Sequence, residues 1–250
     1  MAAAPKPTIS LSDVAVAYQG RVAIEGLTGM IAAGSLTAVI GPNGAGKSTL
    51  FKAILGLVPL SRGQIALSGI TKREIAYLPQ RSDIDRTFPI SVADVAGFGL
   101  WRRIGPFGRI GSELHDAVDA ALTRVGLAGF GRRPLDRLSG GELQRVLLAR
   151  LIVQNASAML LDEPFAALDA ATTGTLLSLI EQWHGEGRSL LVALHDLNLV
   201  RRHFPQTLIL ARRPIAWGPT ANVLDGPALD GLAGLAAGRS PEQTGFGAAA

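Results

Sequence analysis

Leu36-Thr37-Ala38-Val39-Ile40-Gly41-Pro42-Asn43-Gly44-Ala45-Gly46-Lys47-Ser48-Thr49-Leu50 joins three kinds of local structure in one run. Leu36 to Ile40 reads as a fully buried strand, and a glycine-rich turn follows it immediately. From Lys47 onward, Leu50, Ile54 and Leu55 have helical spacing, and Gly56 is a natural helix end. Gly41 to Thr49 fits the pattern G-x-x-x-x-G-K-[ST], in a strand–loop–helix setting that the chemistry of phosphate binding requires. Glycines let backbone N–H groups close around phosphate oxygens, and the positive end of the following helix points at the same anion. Lys47 would reach the β and γ phosphates. Ser48 would offer its hydroxyl to Mg²⁺, a cation that prefers oxygen ligands.

Outward from this run, Ile9 to Val14 alternates as a half-buried strand, whereas Ala158–Leu161, Ser189–Leu194 and Gln206–Leu210 read as buried strands. Helical stretches around 170–184 and 196–203 separate them, which predicts an α/β core with a mostly parallel sheet. Between Gln80 and Leu138 the strand pattern disappears, and Ser112 to Val125 places Leu114, Val118, Ala121, Leu122 and Val125 on one face of an amphipathic helix. A helical lobe is therefore expected as an insertion in the sheet domain. The Gly/Ala-rich tail from about Gly231 has little capacity to form a core.

The chain has 250 residues and 48% hydrophobic content, enough for one large domain or two closely joined lobes. No run of about 18 apolar residues occurs, and the amino terminus lacks an apolar signal region, so a cytoplasmic location is expected. Cysteine is absent, which excludes disulfides, thiolate metal sites and thiol catalysis. The net charge of +4 comes with scattered pairs, Arg102-Arg103, Arg132-Arg133, Arg201-Arg202 and Arg212-Arg213, rather than a stripe. These read first as solvated surface arginines, and no nucleic-acid partner is expected.

Two further motifs carry chemistry. Met159-Leu160-Leu161-Asp162-Glu163 ends a buried strand with two carboxylates, where open α/β sheets assemble ligand sites. Asp162 suits Mg²⁺ and Glu163 suits polarisation of a water, although the pair taken alone reads equally well as helix-capping or surface carboxylates. Leu138-Ser139-Gly140-Gly141-Glu142-Leu143-Gln144-Arg145 opens a helix. It is either an anion-binding N-terminus or an ordinary capping box, with Ser139 and Glu142 three residues apart.

Together these residues resemble the ATPases of ABC transporters, in that family's order and from about Ile9 to Leu224. The resemblance implies a P-loop NTPase core, an antiparallel β subdomain and an α-helical subdomain inserted at about 81–155. The whole ATPase domain would span 8–230, between a flexible 1–7 and a disordered 231–250. It makes Gly41 to Thr49 the Walker A loop, Tyr18 the aromatic stacking on adenine, Gln80 the Q-loop residue linking Mg²⁺ to the helical lobe, and Asp162 and Glu163 the Walker B pair. LSGGELQR becomes the signature, with Ser139, Gly140 and Gly141 as nucleotide contacts. Ala167-Leu168-Asp169 becomes the D-loop and His195 the switch histidine at the γ-phosphate. The catalytic set would be Glu163, His195 and Gln80, and the metal set Ser48, Gln80 and Asp162. Tyr18 also has a plainer reading as a strand-edge tyrosine, and His195 as a core or capping histidine.

In this family the signature serine of one copy meets the Walker A loop of another, which implies a pair of chains with ATP and Mg²⁺ between them. It also implies a transmembrane permease on the inner face of the membrane, with an extracytoplasmic solute-binding protein acting through that permease. The segment Pro79 to Val95 is similar to the corresponding loop of the zinc and manganese uptake branch, with iron-chelate and cobalamin importers as near alternatives. A non-transport role in DNA repair or translation is disfavoured. Only about ninety residues separate Walker A from the signature, too few for a long coiled coil, and one cassette is present. Trp101 to Phe107 is either a membrane-proximal docking loop or a segment packed on its own lobe.

Overall fold

A computed structural model of the chain describes residues 8–80, 85–86, 88–101, 112–166 and 168–227. The expectations for 1–7, 231–250, Ala167 and most of Trp101 to Phe107 lie outside these residues.

Strands β1 (Thr8–Tyr18) and β2 (Arg21–Ile31) pair antiparallel, with β4 (Arg62–Ser68) antiparallel on the other edge of β1. Alternation along β1 buries Ile9, Leu11, Val14 and Val16 and leaves the opposite face wetter, as a sheet covered on one side requires. Between β2 and β4 lie β3 (Leu36–Ile40) and helix α1 (Lys47–Leu55). Strand β5 (Ile75–Leu78) follows. Among the described residues, three α-helices then precede the next strand: α2 (Val92–Gly97), α3 (Ser112–Arg124) and α4 (Gly140–Gln154). The chain continues through β6 (Ala158–Asp162), α5 (Ala170–Gly185), β7 (Ser189–Ala193), α6 (Leu197–His203), β8 (Gln206–Ala211), β9 (Arg213–Pro219) and α7 (Thr220–Leu224).

The second sheet has the order β5-β6-β7-β3-β8-β9, parallel throughout except for β9. Its central strands are buried at every position because both faces are covered. Ala158, Leu160, Leu191, Ala193, Val39, Leu208 and Leu210 face a core shared with Leu50, Phe51 and Ile54 of α1 and the apolar face of β1 and β2. The alternate residues Ala38, Ile40, Leu161, Val192 and Ile209 face the other core, filled by Leu143, Val146, Leu147 and Leu151 of α4 and Leu176 and Ile180 of α5. Period-two alternation thus puts the antiparallel sheet and α1 on one side and the helices on the other. The sheet order explains why a short strand such as β5 exists: it borders β6 and carries Gln80 to the same edge as the other strand ends.

Candidate functional site

Register decides which side chains can meet. Leu78 pairs with Leu161, Leu161 with Val192, and Val39 with Ala193, so the carboxyl ends of β5, β6, β7 and β3 finish nearly level. Gln80, Glu163, His195 and Gly41 follow those ends within a few residues, at the edge where parallel sheets bind ligands.

The loop after β3 depends on two glycines. A Cβ on Gly41 would lie 2.0 Å from the Leu210 carbonyl oxygen, and one on Gly46, where φ is 99°, would lie 2.5 Å from that of Ala23. No larger residue fits either place. Gly46 is the N-cap of α1 and no side chain caps that helix, so its first N–H groups remain directed into the loop. Lys47 is 6% exposed, and its ammonium donates to the carbonyl oxygens of Gly41 (2.8 Å) and Pro42 (3.2 Å). Burial lowers its pKa, while the charges of Glu163 and Asp162 act in the opposite sense.

Beside this loop is a pocket of about 1140 Å³, lined by Asn43 to Thr49 together with Tyr18, Gln80, Glu163 and His195. Tyr18 reaches the lining because Gln19 and Gly20, with φ of 49° and 79°, form the tight turn between β1 and β2 and leave Tyr18 paired with Arg21. Glu163 holds φ at 50° in front of Pro164, a backbone rarely adopted by a side-chain-bearing residue. Its N–H donates to the Ala193 oxygen at 3.1 Å, tying it to the end of β7. Both carboxylate oxygens are engaged: His195 Nε2 hydrogen-bonds with Oε1 at 2.7 Å, and Gln80 Nε2 donates to Oε2 at 3.2 Å. The three residues expected to be catalytic therefore form one contiguous unit at the pocket wall.

Asp162 is 1% exposed at the end of β6 and is close enough for Lys47 to feel its charge. The Ser48 hydroxyl, the Gln80 side-chain oxygen and the Asp162 carboxylate offer only hard oxygen donors, which fits Mg²⁺ and not a soft metal.

Ser139, Gly140, Gly141 and Asp169 are not among the pocket-lining residues. Ser139 caps α4 in a reciprocal box: its Oγ accepts from the Glu142 N–H at 3.2 Å, and its own N–H donates to Glu142 Oε2 at 2.7 Å. The Ser139 bonds hold the Glu142 carboxyl below its usual range. Asp169 caps α5 by accepting from the Thr172 N–H at 2.7 Å, which likewise lowers its pKa. Both motifs are thus folded as helix starts that do not line the pocket of their own chain. Sequence reasoning missed five lining residues, Gln19, Arg21, Val22, Ala23 and Arg212. The first two were within reach, since they adjoin Tyr18 at a turn. In the sequence Arg212 reads only as half of a surface pair.

The residues from 24 to 166, more than half of the chain, match the model of the ABC transporter family. The chain belongs to that family. It is an ABC-type ATPase. This ABC ATPase is 42% identical over 219 residues to the manganese transport system ATP-binding protein MntB of Bacillus subtilis, covering 86% of this chain and 88% of the relative. Against the zinc transport system ATP-binding protein TroB of Treponema pallidum it is 40% identical over 214 residues, covering 84% and 80%. Among solved structures, an inward-facing putative metal-chelate type ABC transporter superposes with a TM-score of 0.77 at 29% identity, covering 91% of this chain and 89% of that one. The ABC ATPase fold expected from the sequence is the one observed.

Proposed function

We propose that this ABC ATPase is the motor subunit of an importer for a divalent metal ion, manganese or zinc, and that it works as a pair of chains beneath a membrane permease. The observation that carries the catalytic part is the carboxylate of Glu163, bridged between Gln80 and His195 at the wall of the glycine-loop pocket. Held this way, Glu163 accepts a proton from a water attacking the γ-phosphorus, while His195 and Lys47 stabilise charge on the departing phosphate oxygens. The bond to ADP breaks and inorganic phosphate forms. Bound Mg²⁺, held by Ser48, Gln80 and Asp162, would neutralise charge on the phosphates.

The placement of Ser139 supports the paired arrangement. Its helix start could also receive an anion, yet it does not line the pocket of its own chain, so a second copy would supply that contact. Phe88, Phe98 and Trp101, exposed between β5 and α3, suit an apolar permease contact on the helical lobe, whose link to the nucleotide is Gln80. Among the described residues, no helix is long and apolar enough to cross a membrane, which fits a peripheral place on the inner face, with any extracytoplasmic solute-binding protein reached only through the permease. The cargo rests on the manganese and zinc relatives; the likeness to a putative metal-chelate transporter keeps a chelated metal as the second reading.

Two measurements test this. Glu163→Gln keeps the shape and both neighbours but cannot take a proton, so hydrolysis should fall by about 10²-fold or more while ATP still binds. Unchanged turnover would refute the role of Glu163. Cells lacking the chain should accumulate less manganese or zinc, and normal accumulation of both would remove the cargo assignment.

A further inference from the structure

Arg212 and Arg213 stand side by side at the turn between β8 and β9, yet their environments differ. Arg213 is neutralised: its Nε and Nη2 donate to Glu25 Oε2 at 2.9 and 2.7 Å. Arg212 lines the nucleotide pocket with Lys47 and Arg21, and its guanidinium makes no hydrogen bond or ion pair among the described residues. Its backbone is fixed at both ends. The Arg212 N–H donates to the Ala45 oxygen of the glycine loop at 2.8 Å, and the Glu25 N–H donates to the Arg212 oxygen at 2.7 Å.

That anchoring holds a side-chain-bearing residue at φ 62°, in the left-handed region. A glycine would adopt this conformation without strain, so the side chain is kept there against a local preference. An arginine offers a planar set of donors matched to phosphate oxygens, and its charge does not titrate. A cation bonded through its own backbone to the loop that cradles phosphates, and lacking a protein counter-ion, is placed for an anionic ligand.

We propose that Arg212 is an additional phosphate-binding residue of the nucleotide site, adding a charge contact on the polyphosphate that Lys47 and the loop N–H groups also hold. The proposal rests on the nucleotide-site reading above. It makes Arg212 a determinant of nucleotide affinity, with no part in proton transfer, and it separates the two neighbouring arginines by role.

Titration calorimetry of the full chain with ATP and ADP tests it, using Arg212→Gly, Arg212→Gln, Arg212→Lys and Arg213→Ala. Both neutral variants of Arg212 should weaken ATP and ADP by about five- to tenfold at low salt, with the difference shrinking as ionic strength rises. Arg212→Lys should recover part of the loss. Arg213→Ala removes the same formal charge outside the pocket and should stay within about twofold of the parent chain. The melting temperature of Arg212→Gly should change little, because relief of left-handed strain opposes the added freedom of the unfolded chain. Should that variant unfold, Arg212→Gln carries the comparison. ATP and ADP affinities unchanged in both neutral variants, or an equal loss in Arg213→Ala, would overturn the proposal while leaving the nucleotide site intact. A parent chain that binds neither nucleotide would instead overturn the nucleotide-site reading, and this proposal with it.

Discussion

At the scale of single residues, the site is organised around one carboxylate. Glu163 is held by its strained backbone, by its bond to the Ala193 oxygen, and by His195 and Gln80 on its two oxygens. His195→Ala would release one of those oxygens and remove a donor beside the departing phosphate. Turnover should fall by about 10²-fold while ATP affinity changes no more than about threefold, which steady-state kinetics and equilibrium binding separate. Equal losses in both would mean that His195 mainly binds substrate. Much of this was legible in the sequence, because Lys47, Asp162 and Glu163 sit at fixed offsets in motifs whose spacing is set by strand ends and turns. Arg212 was not legible, since nothing local distinguishes it from Arg213. Only the return of β8 beside β3 brings it to the glycine loop.

At the scale of elements, α4 begins on a capping motif, the same residues proposed above to meet a nucleotide. The Ser139–Glu142 box satisfies the helix start and keeps the Glu142 carboxyl ionised below its usual range. Glu142→Ala should lower stability by about 0.5 kcal/mol, modest because the carboxylate is exposed. With its folded pKa depressed, Glu142 contributes fully above the ordinary carboxylate range and loses that contribution as pH falls through the folded value. The stability gap between the parent and Glu142→Ala, followed by denaturant unfolding, should therefore be full at neutral pH and close under acid; a gap that widens under acid would contradict the box. The buried strands were legible as apolar runs. Strands β2, β4, β5 and β9 were not: β2 is interrupted by Gly26 and Gly29, β5 is four residues long, and β9 carries Pro214, Gly218 and Pro219. Their existence is decided by neighbours in the sheet, which override weak local preference.

At the scale of the whole molecule, the chain holds two half-built sites. The glycine-loop pocket contains the residues proposed for nucleotide binding and proton transfer, whereas the serine-led start of α4 is not part of its lining. In the arrangement proposed above, a second copy brings its serine-led helix to this pocket. Because the chain has no cysteine, introduced thiols report this cleanly. One copy carrying Asn43→Cys and a second carrying Ser139→Cys, both with Glu163→Gln to prevent turnover, would be mixed under mild oxidation with and without magnesium and ATP. A disulfide between the two copies should form with ATP and not without it. Crosslinking that is absent with ATP, or equal with and without it, would contradict the claim that the two sites meet across a subunit boundary.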